Sequence, residues 1–150
     1  MRRSEKRTPN IDEQVTPRRL AYLLTQSDFV VLACPLTKET DGLIGERELR
    51  TMKPTATLIN VARGRVVVEG ALIRALQEGW IGGACLDVFT FEPLPDSSPL
   101  WDLPNVFVTP HNSGPSPLNM DRAMAIFLDN LARFAAGKKL RNLVVTAGAG

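Results

Sequence analysis

The fold of this chain is decided by a short apolar stretch, Ala84-Cys85-Leu86-Asp87-Val88-Phe89. Three further apolar runs of similar length occur along the chain, at Phe29 to Cys34, Ala56 to Val61 and Val106 to Thr109. None of the four alternates polar with apolar residues. This pattern predicts four strands of a parallel sheet that is covered on both faces.

Helical patterns separate several of these runs. Thr16-Pro17 offers an N-cap and a first-turn proline for a helix with a leucine face. A second helix is predicted over Glu46 to Met52, and a third has an apolar stripe that starts at Val68 and ends before Gly79. Alternation of strands and helices through short connections predicts an α/β doubly wound structure.

The last predicted helix is the longest one. It begins near Pro117 and ends at Gly137, which is a suitable C-cap. One face of the helix is apolar, and this face is interpreted as core. The apolar face comprises Met120, Met124, Phe127, Leu128, Leu131 and Phe134.

Length and composition exclude several classes of protein. A chain of 150 residues with 44% hydrophobic and 23% charged residues suits one globular domain. The net charge of +2 favours neither a nucleic acid nor a membrane as partner. Cys34 and Cys85 lie in apolar runs without the spacing of a metal site, so we expect free thiols and a cytoplasmic protein.

The notable polar residues follow the predicted strands. The first strand ends in Cys34-Pro35, the second is followed by Arg63, the third contains Asp87, and the fourth continues into His111. Ligands of parallel α/β sheets bind at the carboxyl ends of the strands. We therefore expect these residues to meet at one edge of the sheet.

The residue types at this edge match the reduction of a 2-oxo acid. His111 is the single histidine and would act as the general acid, while the guanidinium of Arg63 would bind the substrate carboxylate. Glu92 would orient the imidazole. Each residue also has a plainer explanation, because a lone histidine, an Arg-Gly pair and a glutamate in a proline-rich loop are common surface features. Asp87 is harder to explain as a surface residue, because it lies in an apolar run and a buried carboxylate needs hydrogen-bond partners or a function.

The chain from Phe29 to Gly114 resembles the cofactor-binding domain of the D-isomer-specific 2-hydroxyacid dehydrogenases, and the order and spacing of the matching segments agree throughout. The matching segments are Asp28 to Thr37, Leu58-Ile59-Asn60-Val61-Ala62-Arg63-Gly64, Gly83 to Phe89, Glu92-Pro93-Leu94-Pro95, Ser98-Pro99-Leu100-Trp101, Pro104-Asn105-Val106 and Thr109-Pro110-His111-Asn112-Ser113-Gly114.

The resemblance implies roles for individual residues. Arg63, Glu92 and His111 take the three catalytic positions of the family. The family uses NAD or NADP, acts on small 2-oxo acids such as glyoxylate, hydroxypyruvate or pyruvate, and is commonly dimeric. The implied dinucleotide contacts are Cys34, Pro35, Val61, Ala62, Arg63, Asp87, His111, Asn112, Ser113 and Gly114.

The sequence departs from the family by what it lacks. It contains no G-x-G-x-x-G loop, which normally binds the pyrophosphate, and no separate substrate domain. Residues 1–150 are therefore expected to be a truncated NAD(P)-binding domain, a partial Rossmann-like sheet with a long C-terminal helix. Arg2 and Arg3 would follow the second strand of the complete domain, where arginines receive the 2′-phosphate, so NADP is favoured as a hypothesis.

Two functions remain open at this point. The first is an oxidoreductase that transfers hydride between NAD(P)H and a small 2-oxo acid. The second is a truncated, inactive fragment that acts as an assembly module, either as a homo-oligomer or through the unpaired edge of its sheet.

Overall fold

The computed structural model describes residues 9–143 of the chain. The chain divides into two compact units at the boundary between Ser113 and Gly114. A four-stranded sheet with its helices forms the first unit, and a long helix is the main element of the second.

The sheet consists of four parallel strands that are neighbours in chain order. They are β1 (Phe29–Leu32), β2 (Thr57–Asn60), β3 (Gly83–Leu86) and β4 (Val106–Val108). The predicted parallel α/β sheet is confirmed, and each strand is shorter than its apolar run. Residues that follow the strands belong to loops at the carboxyl edge.

The described residues contain four α-helices: α1 (Leu20–Gln26), α2 (Glu46–Thr51) and α3 (Glu69–Gln77) in the first unit, and α4 (Asn119–Ala135) in the second. Short 3-10 turns cover Pro17–Arg19, Gly64–Val66 and Pro99–Trp101. The predicted helix ends are explained by local chemistry. The Glu48 carboxylate accepts the N–H of Gly45 ahead of α2 (3.2 Å), and Gly79 follows α3 with φ +70°.

The core of the first unit lies between one face of the sheet and helices α1 to α3. Full burial of a leucine or isoleucine side chain stabilises the fold by roughly 1.5–3 kcal/mol, so this layer provides much of the unit's stability. Its completely buried side chains include Leu24, Ile44, Leu49, Leu58 and Ile81.

Within the first unit taken by itself, the two faces of the sheet differ in burial. Val30 and Leu32 are 4% and 6% exposed, but Phe29, Val31 and Phe107 are 69%, 57% and 65% exposed. The strand order gives the reason. Right-handed crossovers that always move to the next strand in the same direction place all their helices on one face.

Within the second unit taken by itself, the predicted apolar face of α4 is not core, because no residue of this helix is buried. Met120 and Phe134 are 72% and 75% exposed. Helical periodicity identifies a face that is suited to burial but does not specify the surface that covers it. The predicted end of the helix is confirmed, since Gly137 has φ +64° and its N–H donates to Phe134 O at 3.1 Å.

Three further findings concern residues 9–143. No helix in this range is both long enough and apolar enough to span a membrane. Cys34 and Cys85 have free thiols and are half-buried. No cluster of three or more His, Cys, Asp or Glu side chains in the same range could bind a metal ion.

Candidate active site

The candidate site is built from loops at the carboxyl edge of the sheet. The loop after β2 contains Arg63, the segment after β3 contains Asp87 and Glu92, and the loop after β4 contains His111. Because the strands are parallel and adjacent, these loops emerge side by side.

A buried amide sets the backbone of the loop that contains Arg63. The side chain of Asn60 is 1% exposed; its Oδ1 accepts the N–H of Ala62 at 3.0 Å, and its Nδ2 donates to Arg63 O at 3.1 Å. The guanidinium of Arg63 donates through Nη1 to Ala62 O at 2.6 Å, and the residue is exposed. Asn60 thus fixes the base of a side chain that faces outward.

Gly64 allows the Arg63 loop to pack directly on the segment after β3. A Cβ atom at Gly64 would lie 1.9 Å from the carbonyl carbon and 2.0 Å from the oxygen of Phe89. The neighbouring N–H of Thr90 donates to the Glu69 carboxylate at 3.0 Å. Only glycine permits this approach of two backbones.

Glu92 connects this segment to the histidine. Its Oε1 accepts the N–H of Phe89 at 2.9 Å, and its Oε2 lies 2.6 Å from Nδ1 of His111. The side chains of Glu92 and His111 are 35% and 45% exposed. The carboxylate therefore contacts the imidazole directly while the pair remains open to solvent.

The electrostatics of this pair assign the proton on Nδ1. The hydrogen bond with His111 and the N–H of Phe89 hold the pKa of Glu92 below its usual range; burial opposes this, and the charges of His111 and Arg63 add to the lowering. An ionised carboxylate only accepts hydrogen bonds. Nδ1 of His111 is therefore the donor, and Nε2 remains available for another partner.

The loop that contains His111 is tied to a buried carboxylate. Asp87 is 3% exposed; its Oδ1 accepts the hydroxyl of Thr109 (2.5 Å) and the N–H of Asn112 (2.9 Å), and its Oδ2 accepts the N–H of Ser113 (3.0 Å). His111 itself has φ +52°, the left-handed region, which costs a residue with a Cβ on the order of 1 kcal/mol.

Burial by itself would raise the pKa of Asp87. The hydrogen bonds from Ser113, from the hydroxyl of Thr109 and from the N–H of Asn112 outweigh burial and hold the pKa well below its usual range. The carboxylate is consequently ionised at neutral pH, with charge-assisted hydrogen bonds to this loop.

Two cavities open at this edge. One, of about 610 Å³, is lined by Glu92, His111 and the apolar side chains of Phe89, Leu94 and Trp101, among others. The other, of about 450 Å³, brings together five residues for which dinucleotide contacts are expected: Cys34, Pro35, Val61, Ala62 and Arg63.

Three other residues with expected dinucleotide contacts neither line these cavities nor bond to Asp87. Gly114 begins the second unit, and a Cβ atom added to it would have no neighbouring atom within 4 Å. Arg2 and Arg3 lie outside the described residues.

Sequence reasoning assigned Gly64 to the turn that places Arg63, but it gave no role to Asn60, Glu69 or Thr109. One signal was available for Asn60, because an amide at the end of a buried apolar run needs hydrogen-bond partners. No local pattern predicts that Glu69 binds a backbone N–H in a loop 21 residues away.

Comparison with known proteins identifies the family of this chain. The family described as D-isomer specific 2-hydroxyacid dehydrogenase, NAD binding domain, matches residues 1–113. The chain belongs to this family.

Relatives and solved structures agree with this membership. A glyoxylate reductase of Thermococcus gammatolerans is 49% identical over 144 residues, which are 94% of this chain and 42% of the relative. A glyoxylate/hydroxypyruvate reductase B of Pectobacterium carotovorum is 50% identical over 126 residues, covering 83% of this chain and 39% of the relative.

Among solved structures, a D-isomer specific 2-hydroxyacid dehydrogenase from Xanthobacter autotrophicus, in complex with NADPH and MES, has a TM-score of 0.80 and 42% identity. The superposition covers 93% of this chain and 59% of that one. The chain thus spans about two fifths of the length of the two reductases, and less than two thirds of the Xanthobacter autotrophicus dehydrogenase.

Proposed function

We propose that the chain is the NAD(P)-binding part of an oxidoreductase that interconverts a small 2-oxo acid and the corresponding 2-hydroxy acid. The observation on which this proposal depends is the 2.6 Å contact between Nδ1 of His111 and the Glu92 carboxylate. It leaves Nε2 of His111 for a substrate oxygen, at an edge of the sheet where Arg63 is exposed.

Three side chains have distinct proposed roles. In reduction, Nε2 of protonated His111 donates a proton to the carbonyl oxygen, and in oxidation the neutral ring takes it back. Glu92 accepts from Nδ1 and stabilises the charged imidazole. Arg63 binds the substrate carboxylate through two parallel N–H groups.

The proposed cofactor is NAD or NADP. The 450 Å³ cavity beside Arg63 fits this proposal, because it lies at the ends of neighbouring parallel strands, where such sheets bind ligands. Its lining of Cys34, Pro35, Val61 and Ala62 offers backbone and apolar surface to a dinucleotide, and we propose that Asp87 and the loop from His111 to Gly114 extend it. The bound dinucleotide would supply the hydride.

The proposed substrates are glyoxylate and hydroxypyruvate, after the names of the relatives. The test is oxidation of NAD(P)H with each acid by the 150-residue chain. Replacement of His111 by alanine should lower kcat by at least about 10²-fold, because general acid catalysis contributes 10²–10⁴-fold. Lys53→Ala is the control, because Lys53 is a half-buried residue whose amine pairs with Asp28. Turnover that does not depend on His111 would refute the mechanism.

Cofactor choice is a separate proposal. Arg2-Arg3 supports NADP through recognition of the 2′-phosphate. We expect NADPH to bind more tightly than NADH in competition titrations, and Arg2→Ala combined with Arg3→Ala should reduce the difference. Preference for NADH in the unchanged chain would contradict this proposal.

The half-buried free thiols of Cys34 and Cys85 support a reducing compartment such as the cytoplasm.

A second candidate function is assembly. The exposed apolar side chains of Phe29, Val31 and Phe107 favour association of the sheet with another polypeptide, as a homo-oligomer or within a longer protein. Size-exclusion chromatography together with a dinucleotide titration separates the two functions. A stable oligomer that binds neither NADH nor NADPH would support assembly alone.

A further inference from the structure

The loop that contains His111 has a backbone conformation that is unfavourable at His111, and hydrogen bonds to Asp87 hold the loop in place. His111 has φ +52°, and the N–H groups of the next two residues, Asn112 and Ser113, both donate to Asp87, at 2.9 and 3.0 Å. A left-handed residue with a side chain persists where its surroundings over-determine it. Here the surrounding contacts converge on one carboxylate.

Asp87 is held rigidly enough to serve as this anchor. It directly follows Leu86, which pairs with Val108 in the parallel ladder of β3 and β4. The N–H of Thr109 donates to Leu86 O at 3.0 Å, so the sheet hydrogen bonding extends to the start of the loop. The Asp87 side chain is 3% exposed and also accepts the Thr109 hydroxyl at 2.5 Å.

We propose that Asp87 is the positioning residue of His111: it anchors the loop from Thr109 to Ser113 so that Nδ1 of the imidazole meets Glu92. The significance of this alignment for catalysis rests on the proposed function, in which His111 transfers the proton. Asp87 itself touches neither the imidazole nor Glu92 in this arrangement and acts through the backbone.

The chemistry of the contact requires a carboxylate. The Thr109 hydroxyl and the N–H of Asn112 share one oxygen of Asp87, and the N–H of Ser113 donates to the other. An asparagine has one oxygen and one NH₂ group. In either orientation its NH₂ would face a backbone N–H, so at least one of Asn112 and Ser113 would lose its acceptor.

The first test uses the nearly isosteric variant Asp87→Asn in the full chain, with amide hydrogen exchange followed by NMR. We expect the amides of Asn112 and Ser113 to exchange at least tenfold faster. Asn105→Ala is the matched control, since Asn105 precedes β4 at the opposite edge of the sheet and donates to Leu76 O at 3.3 Å. It should leave exchange at Asn112 and Ser113 unchanged.

The second readout is the pKa of Glu92, followed through its ¹³C carboxyl signal. The hydrogen bond from His111 is the main cause of the lowered pKa of Glu92. Asp87→Asn should therefore raise this pKa, and His111→Ala serves as the reference for complete loss of the contact. The inference is wrong if Asp87→Asn changes neither the exchange nor this pKa, or if Asn105→Ala changes them equally.

Turnover separates this inference from the proposed function. If the unchanged chain binds neither NADH nor NADPH, the proposed function fails, while the two NMR measurements still decide the role of Asp87. If the chain oxidises NAD(P)H with a 2-oxo acid, Asp87→Asn should lower kcat at least tenfold. A raised KM for NAD(P)H with kcat, amide exchange and the pKa of Glu92 all unchanged would show that Asp87 acts on the dinucleotide alone, and would overturn the inference.

Discussion

At the scale of single residues, the candidate site depends on buried side chains that organise backbone. Asn60 and Asp87 are the buried polar residues of the range 9–143. Asn60 accepts the N–H of Ala62 in the loop after its own strand, whereas Asp87 accepts two N–H groups of the loop after β4. A buried polar group without partners costs roughly 1–3 kcal/mol. Each loop is thereby coupled to the core, although Arg63 and His111 are themselves exposed.

Gly64 yields the prediction at this scale. Gly64→Ala places a Cβ 1.9 Å from the backbone of Phe89, so two loops must separate, and we expect a loss of roughly 2–4 kcal/mol in the free energy of unfolding. Urea unfolding measures this loss. Gly70→Ala is the control, because its Cβ meets no atom within 4 Å and alanine favours a helix by up to about 1 kcal/mol. Equal effects of the two substitutions would contradict the close contact.

At the scale of elements, β1 shows how topology divides a uniformly apolar strand. Phe29 and Val31 are exposed, whereas Val30 and Leu32 are buried, although all four residues are apolar. The crossover connections all place their helices on one face of the sheet, so alternate residues of the same strand have different environments.

The prediction for this element compares two large side chains of β1. Leu32→Ala should cost roughly 2–5 kcal/mol in the free energy of unfolding, because a 6% exposed leucine leaves a cavity. Phe29→Ala should cost less than about 1 kcal/mol, since Phe29 is 69% exposed. Denaturant unfolding of both variants, followed by far-UV circular dichroism, tests the order. A larger loss for Phe29→Ala would mean that this face is covered in solution.

Helix α4 also shows which features follow from local chemistry and which do not. Its C-terminal end follows from local chemistry, because Gly137 adopts the left-handed conformation that glycine permits. The fate of its apolar face does not follow from local chemistry. Met124, Phe127 and Leu131 lie at helical spacing, and all three are exposed.

At the scale of the whole molecule, the carboxylates of the site make stability depend on pH. The pKa of Asp87 is lower in the folded chain than its ordinary value of 3.8. The unfolded chain therefore binds more protons in acid. The stabilising contribution of ionised Asp87 is fully present above about pH 5, and it is lost as the pH falls below 4 toward the folded-state pKa.

The corresponding prediction compares the unchanged chain with Asp87→Asn. At pH 6 the variant should be less stable by roughly 1–3 kcal/mol, because a buried N–H loses its acceptor. This difference should shrink as the pH falls from 6 to 3, since only the unchanged chain has a carboxylate to protonate at this position. Urea unfolding at pH 6, 4 and 3 measures it. A difference that grows in acid would reverse the assigned pKa direction.

Much of the site could be predicted because its residues follow strands, and strands are visible as apolar runs. Arg63, Asp87 and His111 were expected at one edge of a parallel sheet, and they lie in adjacent loops there. The contact of His111 with Glu92 was expected from the residue types and from the resemblance, and the structure contains it at 2.6 Å. The catalytic roles of these residues remain predictions.

The sequence by itself determined the four strands and the ends of the helices, because these depend on residues close together in the chain. The order of strands, helices and longer matching segments indicated the parallel sheet and the family. Only the tertiary structure decided which face of the sheet is buried, which donors Asp87 binds and that His111 is left-handed. The contact of His111 with Glu92 and the bonds of Asp87 to its loop join groups that are 19 to 26 residues apart. Such pairs meet only after the crossovers have stacked the strands, so no local pattern encodes them.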